Sequence, residues 1–187
     1  LHISDSKIGK WRRHLNLLPQ NTTVGVAGAG NIGSKVIELL LTLGFKVNYF
    51  SREKKSYLSI MGAKYFSNLE KLISKSKIIT LHLPSFNSNE PIIDERKLDL
   101  MKEKYLINLS RGSLVDEKIV YKYLNQKVIN LYATDVFAYE PPKKISKKLQ
   151  CHPKVISTAH VGGYNEFSLK EVSEMALKQI NNILLSK

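Results

Sequence analysis

The stretch Val24-Gly25-Val26-Ala27-Gly28-Ala29-Gly30-Asn31-Ile32-Gly33 decides the fold of this 187-residue chain. A short apolar strand runs there into the pattern Gly-x-Gly-x-x-Gly. Gly28 permits a tight turn, and Gly30 leaves no side chain where a phosphate group would approach the backbone. Gly33 lets a following helix pack closely on its strand. The stretch therefore predicts a dinucleotide-binding turn.

The residues around the turn support this interpretation. An apolar strand precedes it, and a helical pattern over residues 34–43 follows it, with Gly44 as the stop signal. Backbone N–H groups at the start of that helix would face a pyrophosphate, so we assign Asn31 and Ile32 to the cofactor as well. A merely structural glycine turn is the alternative, but the order of strand, turn and helix favours cofactor binding.

The end of the second predicted strand, Lys46–Phe50, should recognise the adenosine ribose. NAD-preferring folds usually carry Asp or Glu there, about 20 residues past the glycines. This chain has Ser51 and Arg52 instead, followed by lysines. A carboxylate would repel a 2′-phosphate, whereas a hydroxyl and a guanidinium can donate to it. The sequence predicts a preference for NADP(H) over NAD(H); alternatively, these are solvated side chains on a basic chain.

Composition fits one compact domain, because 43% of the 187 residues are hydrophobic and can bury a substantial core. The single cysteine, Cys151, excludes an intramolecular disulfide and suits a reducing compartment. The sequence contains no run of about 18 apolar residues, so it predicts no membrane-spanning helix. We therefore expect a cytoplasmic protein with no membrane partner. The chain starts at Leu1, so its N-terminus is no evidence about targeting.

The formal net charge of +13, from 29 Lys and Arg against 16 Asp and Glu, raises the question of nucleic-acid binding. The lysines are dispersed over predicted helices and loops, and no basic stripe alternates with aromatic residues. We expect no specific nucleic-acid partner. Weak, salt-sensitive binding to DNA is a property of any strongly basic surface.

Strands and helices alternate along the chain, which predicts a parallel sheet covered on both faces. The expected fold is α/β, a doubly wound parallel sheet of Rossmann type with helices on both faces. Residues 1–187 would form a single dinucleotide-binding domain with a lead-in over residues 1–20. The later predicted strands are 63–65, 77–81, 105–108, 130–134 and 155–157, and the later predicted helices are 68–74, 95–101, 117–124 and 165–186.

The last predicted helix carries apolar residues at helical spacing, which we interpret as core packing. These residues are Leu169, Val172, Met175, Ala176, Ile180, Ile183 and Leu184.

Polar residues follow three of the predicted strands directly. Arg111 follows one strand, Asp135 and Glu140 follow another, and His160 follows the last. Ligands of an open parallel sheet bind outside the carboxyl ends of its strands. Each residue alone has an ordinary explanation, as a surface arginine, a loop cap, a solvated carboxylate or a satisfied histidine. Their common position, on the side of the glycine turn, favours a shared site.

Over essentially its whole length the chain resembles the nucleotide-binding domain of the D-isomer-specific 2-hydroxyacid dehydrogenases. The resemblance rests on several motifs in the family's order. They are the glycine turn and the segments 7–11, 81–84, 106–117, 135–142 and 160–163.

The resemblance implies a role for each polar residue at the strand ends. Arg111 would hold the carboxylate and carbonyl oxygen of the substrate, His160 would be the acid/base, and Glu140 would pair with His160. This makes chemical sense, because a 2-oxo acid that accepts hydride builds negative charge on its carbonyl oxygen and needs a cation and a proton donor. A neighbouring carboxylate favours the protonated form of a histidine.

The resemblance also implies further cofactor contacts. Asp135 would lie near the nicotinamide, Pro84 and Ser110 would flank the cofactor, and Gly162 belongs to the same set. His82 is either structural or adjacent to the cofactor. We assign no metal ligands.

The chain departs from the family pattern in three places, one of which is Ser51-Arg52 in place of an acidic residue of the NAD type. After residues 81–84 the family often continues with Leu-Thr, whereas this chain has Ser85-Phe86-Asn87-Ser88. Family members also carry a substrate domain and a dimer-forming helical arm, and neither is visible before Trp11. We expect the substrate domain to be missing from this chain and the full-length protein to be a homodimer. The resemblance also implies that the last predicted helix would cross back to the missing domain, so we expect it to be poorly anchored here.

The expected function is hydride transfer between NAD(P)H and a small 2-oxo acid, or the corresponding D-2-hydroxy acid. A glyoxylate or hydroxypyruvate reductase is the first expectation for the substrate. The main alternative is a nucleotide-sensing module of the kind this family has produced among transcriptional corepressors. A chain that keeps the fold after losing its activity is a third possibility.

Overall fold

The structure, a computed structural model, describes residues 9, 11, 17–85 and 90–185, without the side chain of residue 185. Seven strands form one sheet in the order β3-β2-β1-β4-β5-β6-β7, and every neighbouring pair is parallel. The predicted α/β fold is confirmed. The strands are β1 Thr23–Ala27, β2 Lys46–Phe50, β3 Lys64–Phe66, β4 Ile78–Leu81, β5 Tyr105–Asn108, β6 Leu131–Thr134 and β7 Val155–Ser157.

Helices connect the strands, and every predicted strand and helix after the first helix lies within a residue or two of its expected bounds. The segments 7–8, 10 and 86–88, which entered the sequence argument, lie outside the described residues. The helices are α1 Asn31–Thr42, α2 Ser56–Ile60, α3 Leu69–Ser74, α4 Glu95–Asp99, α5 Glu117–Asn125, α6 Lys144–Gln150 and α7 Glu166–Leu185.

Strand β1 shows how both faces of the sheet are covered. Side chains alternate between the faces of a strand. Val24 and Val26 belong to one buried cluster together with Ile37 of α1. Gly25 lies on the opposite face, where an added Cβ would stand 2.6 Å from the Oγ atom of Ser76, next to α3. Helices therefore pack on both faces, as the sequence predicted.

In the other half of the sheet one face is covered by helices, and among the described residues the opposite face is only partly covered. Leu106 and Tyr132 are fully buried in the larger cluster, which includes residues of α3 to α6. The opposite face of β5–β7 carries Ile107, Ala133 and Ile156, which are neighbours in register. The first two are half-buried, and Ile156 is 61% exposed.

The first helix begins at Asn31, three residues before the predicted start at residue 34. The prediction placed the helix after the last glycine, but a glycine is tolerated in a first helical turn, and Gly33 lies inside it. Helices α2 and α6 were not predicted, because each is short and places only one or two residues in the core. These residues are Leu58 in α2 and Ser146 and Leu149 in α6.

The prediction that the apolar stripe of the last helix packs in the core was wrong for this chain. Helix α7 is present, but its large apolar side chains are between 47% and 70% exposed. Helical spacing shows that one face of a helix is apolar, and it does not show which surface covers that face. The stripe of α7 is therefore available for contacts beyond those the chain makes with itself.

Candidate functional site

The three glycines of the turn differ in what surrounds them. Gly28 has a φ of 105°, and an added Cβ would lie 2.3 Å from the carbonyl oxygen of His82. A Cβ on Gly33 would lie 1.9 Å from the carbonyl oxygen of Gly28. Around Gly30, by contrast, a Cβ would meet no atom within 4 Å. Packing therefore requires Gly28 and Gly33, whereas Gly30 leaves backbone accessible to a ligand.

A cavity of about 720 Å³ opens beside the turn, at the carboxyl ends of β1, β2 and β4. This is the size of a ligand pocket. Six of the predicted cofactor residues line it, namely Gly28, Gly30, Ser51, Arg52, His82 and Pro84. Glu53 and Lys55 line it too, and Glu53 was not among the predicted cofactor residues. Both a cation and an extra carboxylate therefore lie at the end of β2.

Ser51 is engaged within its own loop. Its hydroxyl donates to the carbonyl oxygen of Glu53 at 2.5 Å. The hydroxyl oxygen remains able to accept a hydrogen bond, but its proton is used in this arrangement. Of the two residues that suggested NADP(H), Arg52 therefore carries the argument for a 2′-phosphate.

A second cavity, of about 570 Å³, joins the glycine turn to Arg111. Because Arg111 follows β5 and the turn follows β1, the parallel sheet brings both to the same edge. The Nη1 atom of Arg111 donates to the carbonyl oxygen of Ser110 at 2.7 Å. The predicted site residues in this cavity are Gly30, Asn31, Ile32, Gly33, His82, Pro84, Ser110 and Arg111.

Asn108 shapes the loop that carries Arg111, and sequence reasoning missed it. It is fully buried at the end of β5. Its Nδ2 atom donates to the carbonyl oxygen of Arg111 at 2.9 Å, and its Oδ1 atom accepts from the backbone N of Ser110 at 3.1 Å. The hydroxyl of Ser110 in turn donates to the carbonyl oxygen of Leu81 at 2.8 Å. A polar residue that ends an otherwise apolar strand was the available signal.

His82 lies between the two cavities and lines both. Its Nε2 atom is 3.0 Å from the hydroxyl of Thr80. Burial lowers the pKa of His82 below that of a free histidine, because desolvation disfavours the imidazolium. Its backbone carbonyl also packs against Gly28. His82 thus packs against the glycine turn and borders the space beside it.

His160 and Glu140 form a hydrogen-bonded pair at the end of β7. The Nδ1 atom of His160 lies 2.7 Å from the Oε2 atom of Glu140, with the side chains 48% and 38% exposed. The other oxygen of Glu140 accepts from the backbone N of Phe137 at 3.0 Å. The hydrogen bond to His160 is the main cause that lowers the pKa of Glu140. This pairing is the one that the resemblance implied.

Asp135 holds the backbone of the His160 loop. Its Oδ1 atom accepts from the backbone N of Val161 at 3.0 Å, and its Oδ2 atom accepts from the backbone N of Gly162 at 2.9 Å. Thr158 also donates to this carboxylate. Burial opposes ionisation, but these hydrogen bonds outweigh it and keep the pKa of Asp135 low. Asp135 lines a third cavity, of about 250 Å³, together with Glu140 and His160.

The Arg111 loop packs against the backbone of the segment after β6, which also carries Glu140. An added Cβ on Gly112 would lie 2.0 Å from the carbonyl carbon of Phe137 and 2.3 Å from the backbone N of Ala138. Only a glycine allows the loop after β5 to lie this close to the segment after β6. Sequence reasoning did not single out Gly112 for this role.

Within the described ranges, no group of three or more His, Cys, Asp or Glu side chains is arranged to hold a metal ion.

A separate result concerns membranes: of the helices in the described part of the chain, none has the length and apolar content needed to cross one.

Comparison with known proteins identifies the family of this chain. Residues 2–162 match the family model described as D-isomer specific 2-hydroxyacid dehydrogenase, NAD binding domain. The D-3-phosphoglycerate dehydrogenase of Methanocaldococcus jannaschii is 32% identical over 182 residues, which are 95% of this chain and 34% of that protein. The glyoxylate reductase of Aeropyrum pernix is 39% identical over 121 residues, which are 64% of this chain and 36% of that protein.

A solved structure shows the same fold. The D-lactate dehydrogenase from Aquifex aeolicus, complexed with NAD and lactic acid, superposes with a TM-score of 0.88 at 28% identity. The match covers 98% of this chain and 60% of that one. The chain thus spans between 34% and 60% of the length of these three proteins.

Proposed function

Because the chain belongs to the D-isomer-specific 2-hydroxyacid dehydrogenase family, we propose that its protein interconverts a small 2-oxo acid and the D-2-hydroxy acid. The observation that carries the proposal is the 2.7 Å hydrogen bond between His160 and Glu140, at the same sheet edge as Arg111 and the glycine turn. A substrate domain outside these 187 residues would complete the cleft, in a protein that we propose to be a homodimer.

The residues along β1, β2 and β4 fit a nicotinamide dinucleotide. The accessible backbone at Gly30 would hold the pyrophosphate, with the N–H groups of Asn31 and Ile32 at the start of α1. When bound, the cofactor supplies or accepts the hydride. The protein supplies position and charge.

Arg111 and His160 have different roles in the proposed reaction. The guanidinium of Arg111 pairs with the substrate carboxylate and stabilises the negative charge that builds on the carbonyl oxygen. With Nδ1 held by Glu140, Nε2 is the nitrogen of His160 that exchanges a proton with that oxygen. Glu140 orients the ring. Glyoxylate or hydroxypyruvate is the substrate that we propose to test first.

A turnover assay tests this function. The longest natural polypeptide that contains these residues is supplied with NADPH or NADH and with glyoxylate, hydroxypyruvate or pyruvate in turn, and the loss of nicotinamide absorbance is followed. We expect steady turnover of at least one acid. Cofactor binding without turnover of any acid would contradict the enzyme and support the nucleotide-sensing alternative.

We further propose that the cofactor is NADP(H) in preference to NAD(H), since Arg52 lines the cavity at the end of β2. Arg52→Ala should weaken NADPH binding about 10- to 100-fold, the cost of a lost hydrogen bond to a charged group. The affinity for NADH should change little. Titration of this chain with each cofactor, followed by nicotinamide fluorescence, measures both values.

The neighbouring lysine offers a matched control. Lys54 is exposed and is not among the residues that line the cavity. Lys54→Ala therefore removes one positive charge and leaves the lining of the cavity unchanged. We expect Lys54→Ala to leave the ratio of the two affinities unchanged. Equal losses in the Arg52 and Lys54 variants would show that only general charge matters and would refute the preference.

A further inference from the structure

Glu117 is a buried carboxylate that the proposed reaction does not use. It is the first residue of α5 and is only 4% exposed. Charged side chains are rarely so buried unless they are hydrogen-bonded or paired. Its Oε1 atom accepts from the backbone N of Ala138 at 2.8 Å, and its Oε2 atom accepts from the hydroxyl of Ser146 at 2.6 Å. Ser146 itself is fully buried in α6.

Capping of its own helix does not explain Glu117. An acidic residue in a first helical turn often serves the helix dipole. In α5, however, Asp116 is the N-cap, and its side chain accepts from the backbone N atoms of Lys118 and Ile119. Both oxygens of Glu117 bind outside α5. The carboxylate therefore links α5 to α6 and to the loop after β6.

The loop that Glu117 holds is the loop that carries Glu140. The backbone N of Phe137 donates to Glu140, and the next backbone N, of Ala138, donates to Glu117. Gly112, next to Arg111, packs against the peptide unit between Phe137 and Ala138. The Phe137–Ala138 peptide is thus held by Glu117 and packed against Gly112, and the carboxylate that pairs with His160 binds the N–H of the adjoining Val136–Phe137 peptide.

We propose that Glu117, supported by Ser146, is a positioning residue that holds the Phe137–Ala138 peptide and thereby keeps Glu140 in hydrogen-bonding contact with His160. Glu117 touches no reacting group. The inference rests on the proposed role of His160 only for its effect on catalysis, because the contact between Glu140 and His160 can be measured without substrate.

The titration of Glu140 in this chain is the direct test. The hydrogen bond from His160 lowers the pKa of Glu140. Carboxyl carbon NMR of Glu140 across a pH series therefore reports whether the pair is intact. We expect Glu117→Ala to raise that pKa towards the value of a free glutamate. In Glu117→Gln an amide oxygen can still accept from Ala138 and an amide N–H can donate to Ser146, so we expect most of the shift to be restored.

Two further variants separate positioning from stability. Asp99→Ala removes the acceptor of the Tyr123 hydroxyl, between α4 and α5, and serves as a destabilised control that should leave the pKa of Glu140 unchanged. Ser146→Ala should raise the pKa of Glu140 as Glu117→Ala does, but by less. This variant also provides a test if Glu117→Ala does not fold. A pKa of Glu140 that stays at its wild-type value in every folded variant of Glu117 and Ser146 would overturn the proposal.

Kinetics of the longer protein give the second readout. Small misplacements of reacting groups can cost up to about 100-fold in rate. We expect Glu117→Ala to lower kcat at least 10-fold with little change in KM, and Glu117→Gln to recover most of it. If the pKa of Glu140 shifts but the wild-type protein turns over no 2-oxo acid, the positioning role stands and the proposed function fails.

Discussion

We expect His160→Gln to lower kcat for 2-oxo acid reduction by about two to four orders of magnitude, the usual contribution of a positioned proton donor. Glutamine can accept and donate hydrogen bonds, but it cannot deliver a proton to the developing alkoxide. KM and the affinity for the cofactor should change far less, because Arg111 and the glycine turn remain in place. Steady-state kinetics together with a cofactor titration measure all three quantities.

The backbone at this position calls for a second variant. His160 has a φ of 53°, in the left-handed region that Asn tolerates better than most residues. His160→Asn should therefore show the same loss of kcat without added backbone strain. His152→Gln removes another imidazole, at the end of α6, and should leave kcat unchanged. A wild-type kcat in both His160 variants would eliminate the proposed mechanism.

The second large effect is expected from Gly33→Ala. The new Cβ would stand 1.9 Å from the carbonyl oxygen of Gly28, and backbone cannot move aside as a flexible side chain can. Overpacking of this kind costs about 3 kcal/mol at the upper end of its usual range. We expect the free energy of unfolding to fall by about that amount, measured by denaturant unfolding of this chain.

Two other glycines serve as controls for this prediction. A Cβ on Gly163 meets no atom within 4 Å, so Gly163→Ala should leave stability within about 0.5 kcal/mol. Gly30→Ala should also leave stability unchanged, yet it should weaken binding of either cofactor, because its methyl group enters the space at the turn. Equal stability of the Gly33 and Gly163 variants would contradict the close packing of α1 on the turn.

The sheet could be predicted from the sequence because buried parallel strands are short apolar runs and because helices must connect them. Arg111, Glu140 and His160 could be nominated for the same reason, since each lies in the segment that follows a strand and all parallel strands end at one edge. The pairing of Glu140 with His160 came from the family resemblance.

Contacts between side chains and distant backbone could not be predicted in this way. Glu117 and Gly112 act on the segment after β6, which follows another strand, and no local pattern distinguishes them from ordinary helix and turn residues. The position of Ser51 at the end of β2 was predicted from the sequence. The hydrogen bond that its hydroxyl donates to the carbonyl oxygen of Glu53 was not predicted. The spacing of the apolar residues likewise predicted helix α7, but it did not show that these residues would be exposed in this chain.

The partly exposed apolar face of β5–β7, together with the exposed stripe of α7, has a consequence for how separate copies of this chain behave in solution. Each copy carries a formal net charge of +13, so copies repel one another at low ionic strength. Salt shortens the range of that repulsion, to about 8 Å at physiological ionic strength. The attraction between apolar faces is not screened in this way. We therefore expect the colloidal stability of the isolated chain to be electrostatic in origin and to decrease as salt is added.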